Sequence, residues 1–465
     1  MAGGVGVRFS TREQLVLLVL LGAGFMLSID FSILNVALPE AGAGVGLGPE
    51  GLPWISSAFA LPAAGFTLLF GRLGDLYGRR RFFLAGMVLL AGASLLGGFA
   101  GSAEVLLTAR ALQGLATAMA LPAALSLLTT TFAEGARRER VLGLRGALGS
   151  AGFAVGALVG GTLVSLFGWR AAFFINVPAA VAVLVLGPFV VKESSVAVRA
   201  KLDVAGAVTV TGGLMAVVYA VIEGSVRSAG VGVLLLAAFA VIELRTSAPL
   251  VPLRILKRPS VTWGNVAGLV TCSMVTGMIF LTTLYLQQTL KLSPLTTGIV
   301  FGVPGVASVA AGVLAGRIIG RFGGRRVVAV SMSIQGIATL PLAFLGAHRI
   351  ALVILVPALF IGFFGHVAAM VAYSVIGTSG VADSEQGLAT GLTSMTQEVA
   401  CTVGTPVLAA IAATQATQLT GMHLALSVAA TLILATALLV YLNLRPRLPH
   451  PVPTHHSTQP TPAIP

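Results

Sequence analysis

The stretch Gly71–Arg81, which reads GRLGDLYGRRR, decides the fold of this chain. It lies between two hydrophobic segments and returns 245 residues later as Gly316–Arg326, GRIIGRFGGRR. Aligned without gaps, the two copies share two glycines and three arginines. Internal repeats of this kind are typical of transporters, so the repeat predicts a membrane protein composed of two related halves.

The composition supports an integral membrane protein. Charged residues make up 9% of the chain and hydrophobic residues 56%, whereas a soluble domain contains about 25% charged residues. The net charge of +13 does not indicate nucleic-acid binding, because the arginines form short clusters between apolar segments and not one basic face. The two cysteines, Cys272 and Cys401, lie in separate apolar segments. We therefore expect no disulfide framework, no metal, no cofactor and no enzymatic activity.

The apolar segments predict an all-α membrane fold. A helix that crosses a bilayer needs about 20 mostly apolar residues, and charged residues mark the boundaries between such segments. We predict fourteen transmembrane helices, near residues 14–38, 52–70, 82–101, 105–131, 141–165, 171–191, 203–222, 229–245, 261–286, 296–316, 327–347, 351–375, 389–412 and 421–444. Most arginines and lysines then fall on one side, which predicts that both termini are cytoplasmic.

The spacing of the repeat predicts the domain organisation. Two six-helix halves flank two extra central helices, and the chain ends in a disordered proline-rich cytoplasmic tail. The predicted halves are residues 1–192 and 259–445, and the two central helices with their linkers are residues 193–258. The predicted tail is residues 446–465. One cytoplasmic turn carries Asp383 and Glu385 without any basic residue. It is either a solvated loop or the partner of a basic cluster in a neighbouring loop.

Five motifs together resemble the major facilitator superfamily, and within it the fourteen-helix drug:proton antiporter group. The resemblance extends from about Ser10 to Arg445. It is carried, in order along the chain, by Ser28–Pro39, Gly71–Arg81, Arg110–Gly114, Gly152–Gly161 and the pair Trp169-Arg170 with Phe174–Pro178. Two positions depart from the family pattern: Ala157 stands where a proline is usual in the helix 5 motif, and Gly320 stands where the first basic loop has Asp75.

This resemblance implies a proton-coupled exporter of hydrophobic or cationic small molecules, such as antibiotics or dyes, that works by alternating access. The alternatives are a proton-coupled transporter of one specific metabolite and a non-transporting membrane sensor. The expected partners are a small-molecule substrate, protons and the lipid bilayer, without nucleic acid. We expect a monomer in the cell membrane, specifically the inner membrane of a bacterium.

Asp30 is the strongest candidate for proton coupling. A charged carboxylate in hydrocarbon must be paired, hydrated or protonated, and a group held among these states can couple proton binding to a change of shape. At 1.5 Å per residue, Asp30 lies roughly 10 Å from the outer end of the first predicted helix. Arg110 lies at a similar depth in the fourth helix, so we expect the two to meet. The alternative is a permanent structural ion pair.

Further polar groups lie near the middle of their predicted helices. Glu398 either binds a proton or a cationic substrate, or is hydrogen-bonded locally without a role in transport. His366 either titrates or packs as a neutral residue. We expect the substrate cavity at the midplane between the halves, lined by Phe31, Asn35, Gln113, Gln397, Glu398 and His366.

Glycines and charges predict two further elements. The loop residues Gly71, Asp75, Gly78, Arg79 and Arg80 predict a conformational latch, although membrane anchoring alone explains the arginines. The helix 5 residues Gly152, Gly156, Gly160 and Gly161 form a stripe of small side chains that permits close helix packing. We expect this stripe to contact a helix of the opposite half.

Overall fold

The computed structural model describes residues 9–132, 136–194, 203–246, 249, 253–379, 381 and 383–444, and this part of the chain is all-helical, without strands. Asp383, Glu385 and Glu398 lie in a helix whose backbone is described, but their side chains fall outside the described part, as does the tail from residue 446. In chain order the helices are α1 (Thr11–Gly44), α2 (Leu52–Tyr77), α3 (Arg79–Gly98), α4 (Ala103–Thr131), α5 (Ala136–Phe167), α6 (Ala171–Phe174), α7 (Asn176–Val190), α8 (Val204–Glu223), α9 (Val226–Arg245), α10 (Pro259–Leu284), α11 (Pro294–Phe322), α12 (Gly324–Thr339), α13 (Leu352–Thr378), α14 (Asp383–Ala413) and α15 (Gln418–Asn443).

The predicted all-α membrane fold is confirmed. Within the described residues, twelve helical segments are long and apolar enough to cross a membrane. The bent helix α2, whose two parts meet at 51°, makes a thirteenth if it counts as one span. Helix α14 is not among these segments. The count of fourteen, the cytoplasmic termini and the division into halves stay predictions.

Single glycines make the turns in both basic motifs. Gly78 has a φ of 118° and Gly323 a φ of 80°, a region that favours glycine because it has no Cβ. The prediction of a loop over Gly71–Arg81 is wrong in extent. Helix α2 continues to Tyr77 and α3 begins at Arg79, so the polar residues of the motif occupy helix ends. We call the end of the bundle at Gly78 and Gly323 the basic end, and the end at Gly51 and Pro294 the far end.

One arginine of each motif binds the last turn of a neighbouring helix. The Arg80 guanidinium donates to the carbonyl oxygen of Val191, just after α7, at 3.3 Å. At the repeat-equivalent position, Arg325 donates to the carbonyl oxygen of Tyr441 in α15 at 2.8 Å and lies 4.2 Å from the centre of that ring. The last carbonyls of a helix lack partners within the helix and carry partial negative charge. Both arginines therefore stabilise helix C-termini.

The glycine stripe of α5 mostly faces α1, which corrects the expectation that it contacts the opposite half. A Cβ at Gly152 would lie 2.8 Å from the Ser28 side chain, and one at Gly156 would lie 2.8 Å from the Ile29 carbonyl oxygen. Gly160 likewise faces α1. The reason is the period of the helix: glycines four residues apart share one face, and α1 occupies that face.

Gly161 and Ala157, on the next face of α5, make the contact with α11. A Cβ at Gly161 would lie 2.6 Å from the Pro294 carbonyl oxygen, and one at Gly298 would meet the Ala157 carbonyl oxygen. Ala157 stands where the family pattern has proline. Its carbonyl oxygen packs closely against Gly298 of α11. Nearer the basic end, a Cβ at Gly146 or Gly316 would find no atom of the described residues within 4 Å.

Helix α8 packs beside the join between α2 and α14. Helix α8 contacts both of these helices. The Thr211 hydroxyl donates to the Gly65 carbonyl oxygen of α2 at 2.7 Å. Near the far end, the Trp54 indole of α2 donates to the Glu223 carboxylate at 3.2 Å. Helix α8 is therefore fixed to α2 at two depths, and α9 packs against α8.

We expect Gly298→Leu to destabilise the protein by about 1–3 kcal/mol, the usual cost of overpacking, because its side chain would collide with the backbone of α5. Thermal unfolding of the purified protein in detergent measures this change. Gly316→Leu is the matched control on the same helix, where a side chain finds open space. Equal losses in both variants would contradict the close contact.

Candidate functional site

Asp30 of α1 and Arg110 of α4 form an ion pair inside the bundle. The Asp30 Oδ2 atom lies 3.5 Å from a terminal nitrogen of Arg110, and the two residues are 0% and 2% exposed. The structure thus brings together the two charges that the sequence placed at similar depth. The predicted depth of Asp30 was too shallow, because α1 continues through Pro39 to Gly44. Asp30 lies about 20 Å from that end, at 1.5 Å per residue.

Two amides bind the other oxygen of the carboxylate. The Asn176 side-chain amide, at the start of α7, donates to Asp30 Oδ1, and the Gln113 amide donates to the same atom at 3.4 Å. Both amides also donate to the Ser94 hydroxyl of α3, at 3.3 Å and 3.0 Å. Four helices therefore converge on one carboxylate. Oδ2 receives no hydrogen bond from the described residues and faces only the charge of Arg110.

Arg110 has further partners besides Asp30. Its Nε donates to the Ile55 carbonyl oxygen of α2 at 3.2 Å, and a terminal nitrogen donates to Gln113 Oε1 at 2.8 Å. The guanidinium carbon lies 4.4 Å from the centre of the Phe59 ring, a stacking that stabilises a cation. Two hydrogen bonds and one aromatic ring therefore hold the guanidinium in addition to its pairing with Asp30.

Sequence reasoning missed two members of this site and misplaced a third. Asn176 was quoted only as part of a family motif, and Ser94 was not singled out. A polar residue at the start of an apolar segment was the available signal for Asn176, whereas a serine in a helix carries almost none. Gln113 was assigned to the substrate cavity, but it is 0% exposed and binds Asp30.

His366 of α13 belongs to a second buried cluster and is 7% exposed. The Gln335 amide nitrogen donates to the Thr271 carbonyl oxygen at 3.2 Å, which leaves Gln335 Oε1 to accept from the Thr271 hydroxyl. That hydroxyl has no second hydrogen, so His366 Nδ1, 3.1 Å away, must be the donor. The neutral ring then has its lone pair on Nε2, which binds no described residue.

The other predicted cavity residues lie apart from these clusters. Phe31 and Asn35 line a space of about 10 Å³ together with Ser56, Ser57 and Thr402, which is room for about one water molecule. The Asn35 amide donates to the carbonyl oxygen of Phe31 at 2.8 Å.

The remaining predicted groups are on α14. Gln397 Oε1 accepts from the Tyr373 hydroxyl of α13 at 3.4 Å. The backbone of Glu398 is next to it, but the Glu398 side chain lies outside the described residues. The structure therefore gives Gln397 a partner on α13. The role of Glu398 stays a prediction.

We expect Arg110→Met to lower the free energy of unfolding by about 3–5 kcal/mol, because it leaves the Asp30 carboxylate as an uncompensated buried charge. The double variant Asp30→Leu/Arg110→Met should lose less, since neither charge remains. Thermal unfolding in detergent measures both. Arg137→Met, which removes a half-exposed ion pair with Glu13, is the control and should change stability much less. If the losses of unfolding free energy from Asp30→Leu alone and Arg110→Met alone added up to the loss in the double variant, the two residues would not be coupled.

Comparison with known proteins assigns the family. The profile of the Major Facilitator Superfamily matches residues 20–405. The chain is 33% identical to the puromycin resistance protein pur8 of Streptomyces alboniger, over 84% of this chain and 80% of that protein. It is 34% identical to the cephamycin export protein CmcT of Amycolatopsis lactamdurans, over 83% and 82% of the two chains. It is 32% identical to the multidrug resistance protein Stp of Mycobacterium tuberculosis, over 86% and 76%.

Solved structures show the same fold. The transporter PepTSo of the POT family superposes with a TM-score of 0.70 and 14% sequence identity, over 92% of this chain and 97% of that one. The nucleoside transporter NupG superposes with a TM-score of 0.68 and 12% identity, over 92% and 100%. The chain therefore belongs to the Major Facilitator Superfamily, as its motifs predicted, and is a multi-pass membrane transporter whose relatives are named for antibiotic resistance, multidrug resistance and cephamycin export.

Proposed function

We propose that this protein is a proton-coupled antiporter that exports hydrophobic or cationic small molecules such as antibiotics or dyes. The observation that carries the proposal is the buried Asp30–Arg110 pair, in a chain whose relatives include a cephamycin export protein and a multidrug resistance protein. A proton that crosses the membrane releases about 2.3 kcal/mol per 100 mV. That energy is enough to drive a useful substrate gradient without ATP.

Asp30 is the proposed proton acceptor because its two oxygens have different surroundings. Oδ1 is bound by amides, whereas Oδ2 has no hydrogen-bond donor among the described residues. A proton on Oδ2 would remove the charge of Asp30 and its attraction to Arg110. Arg110 would keep its bonds to Ile55 and Gln113. Protonation therefore loosens α1 from α4 without releasing Arg110 from α2.

The glycine contacts give a route from Asp30 to the join between α5 and α11. Helix α1 packs on the glycine face of α5 within one turn of Asp30, at Ile29 and Ile33. The adjacent face of α5 contacts α11 through Ala157 and Gly161. A shift of α1 is thus transmitted to the helices that must part during alternating access.

We propose that the first basic motif is a latch at the basic end. Arg79 Nε lies 2.7 Å from Asp75 Oδ1 across the glycine turn. The carboxylate of Glu193, which follows α7, accepts from the backbone N–H groups of Arg80 and Arg81 at 2.9 Å and 3.3 Å. These contacts join the ends of α2, α3 and α7. The second motif has Gly320 in place of the acid, and a Cβ there would find open space.

The remaining assignments are part of the same proposal. The transporter would act as a monomer in a bacterial inner membrane, with both termini in the cytoplasm. Residues 1–192 and 259–445 would form the two halves, and residues 193–258 the central insert. Gln397, Glu398 and His366 would provide polar groups to the substrate from the second half.

We expect Asp30→Asn to abolish proton-driven export, because an amide keeps the shape of the carboxylate but cannot be charged. The measurement is dye export from inverted membrane vesicles with an imposed pH gradient. Glu104→Gln is the control, an exposed acid in the first turn of α4, and should leave export unchanged. Unimpaired export by Asp30→Asn would exclude Asp30 as the coupling group.

We expect the exchange Asp75→Gly with Gly320→Asp to slow export severalfold in the same vesicles, because the Arg79 partner is lost from the first motif. Protein amount and thermal unfolding in detergent serve as controls for folding. An unchanged export rate would mean that the asymmetry between the motifs has no function.

A further inference from the structure

A cavity of about 370 Å³ opens at the far end of the bundle. It lies between α10, α14, α15 and the start of α2, and not between α1 and α4. Its volume falls in the range of small-molecule sites, which is about 300–1,000 Å³. The residues that matter for its chemistry are Glu50, Phe280, Leu284, Tyr285, Ala409 and Met422. It is therefore a second space, separate from the Asp30 site.

The lining combines apolar walls with one carboxylate. Phe280 and Leu284 come from α10, Ala409 from α14 and Met422 from α15. Glu50, in the turn before α2, is the single charged residue among the described residues that line the cavity. It forms no ion pair with any of them. Such a site is complementary to a hydrophobic molecule that carries one positive charge.

One wall is an irregular helical turn. Residues Tyr285–Thr289, which continue α10, form a π-helical turn, a feature that frequently marks functional sites. Tyr285 and Thr289 line the cavity. Between them, the Gln287 amide donates to the Val36 carbonyl oxygen of α1 at 2.8 Å. The same turn therefore forms the wall of the cavity and the contact between α10 and α1.

We propose that this cavity binds a hydrophobic organic cation, with the positive charge beside Glu50 and the apolar part against Phe280, Leu284 and Ala409. The occupant contacts the turn that joins α10 to α1 at the far end. The class of ligand rests on the proposed export function, but binding itself can be measured without transport.

Photolabelling of the full-length protein in detergent tests the site. The probe is an azidobenzyl-triphenylphosphonium cation, and the labelled peptides are identified by mass spectrometry. We expect label in residues 280–289 or 406–422. Ala409→Trp fills the cavity and should remove this label. Glu50→Gln should weaken labelling about threefold, in line with a partly exposed ion pair.

Two substitutions at the same end of the bundle are the matched controls. Val353→Trp adds the same bulk at an exposed apolar position of α13, and Glu104→Gln removes an exposed acid from α4. Both should keep full labelling. Label that is absent from residues 280–289 and 406–422, or that survives Ala409→Trp, would overturn the site.

Competition identifies the occupant. Excess tetraphenylphosphonium should displace the label, whereas neutral triphenylphosphine oxide should displace it much less. Displacement by dioleoylphosphatidylglycerol at lower concentration than by the cation would overturn the proposal in favour of a lipid site. Asp30→Asn should keep full labelling at this cavity. If the unaltered protein is labelled at this cavity but exports none of the compounds tested, the proposed function fails and this site stands.

Discussion

A carboxylate and a guanidinium that are both removed from water constrain the arrangement of five helices in this transporter. Neither charge is tolerable alone in a membrane interior, so the helices that carry them must stay within reach of each other. Asp30 and Arg110 meet at 3.5 Å, and the amides and hydroxyl that surround them come from α3, α4 and α7. The packing of α1, α2, α3, α4 and α7 around this point follows from one electrostatic requirement.

The pair is also asymmetric in how firmly its members are held. Arg110 has a backbone carbonyl, an amide oxygen and an aromatic ring as partners, whereas one oxygen of Asp30 has only the opposing charge. An ion pair with one oxygen that no hydrogen bond from the described residues holds is the arrangement that the proposed proton coupling requires. A pair that served stability alone would gain from saturating both oxygens, as most buried polar groups are saturated.

The sequence predicted the class of fold and the central ion pair because both depend on charge. Apolar segments between charges define the helices, and two opposite charges at similar depth identify Asp30 and Arg110. Which face of a helix meets which neighbour depends on packing geometry, and there the predictions were weaker. The stripe of Gly152, Gly156 and Gly160 correctly indicated close packing but was assigned to the wrong partner. Ser94 could not be foreseen, since a hydroxyl in a helix usually bonds its own backbone.

The two arginines at the basic end have a consequence for how the protein is assembled in the membrane. Arg80 binds the end of α7 and Arg325 binds the end of α15. Each arginine is therefore synthesised several segments before the helix that it binds. Until that helix arrives, the guanidinium has only water or lipid headgroups as partners. Each of these two contacts can therefore form only after the helices up to α7, or up to α15, have been made. One such contact lies in each repeat. Both copies of the repeat carry this contact, although the second copy has Gly320 where the first has Asp75.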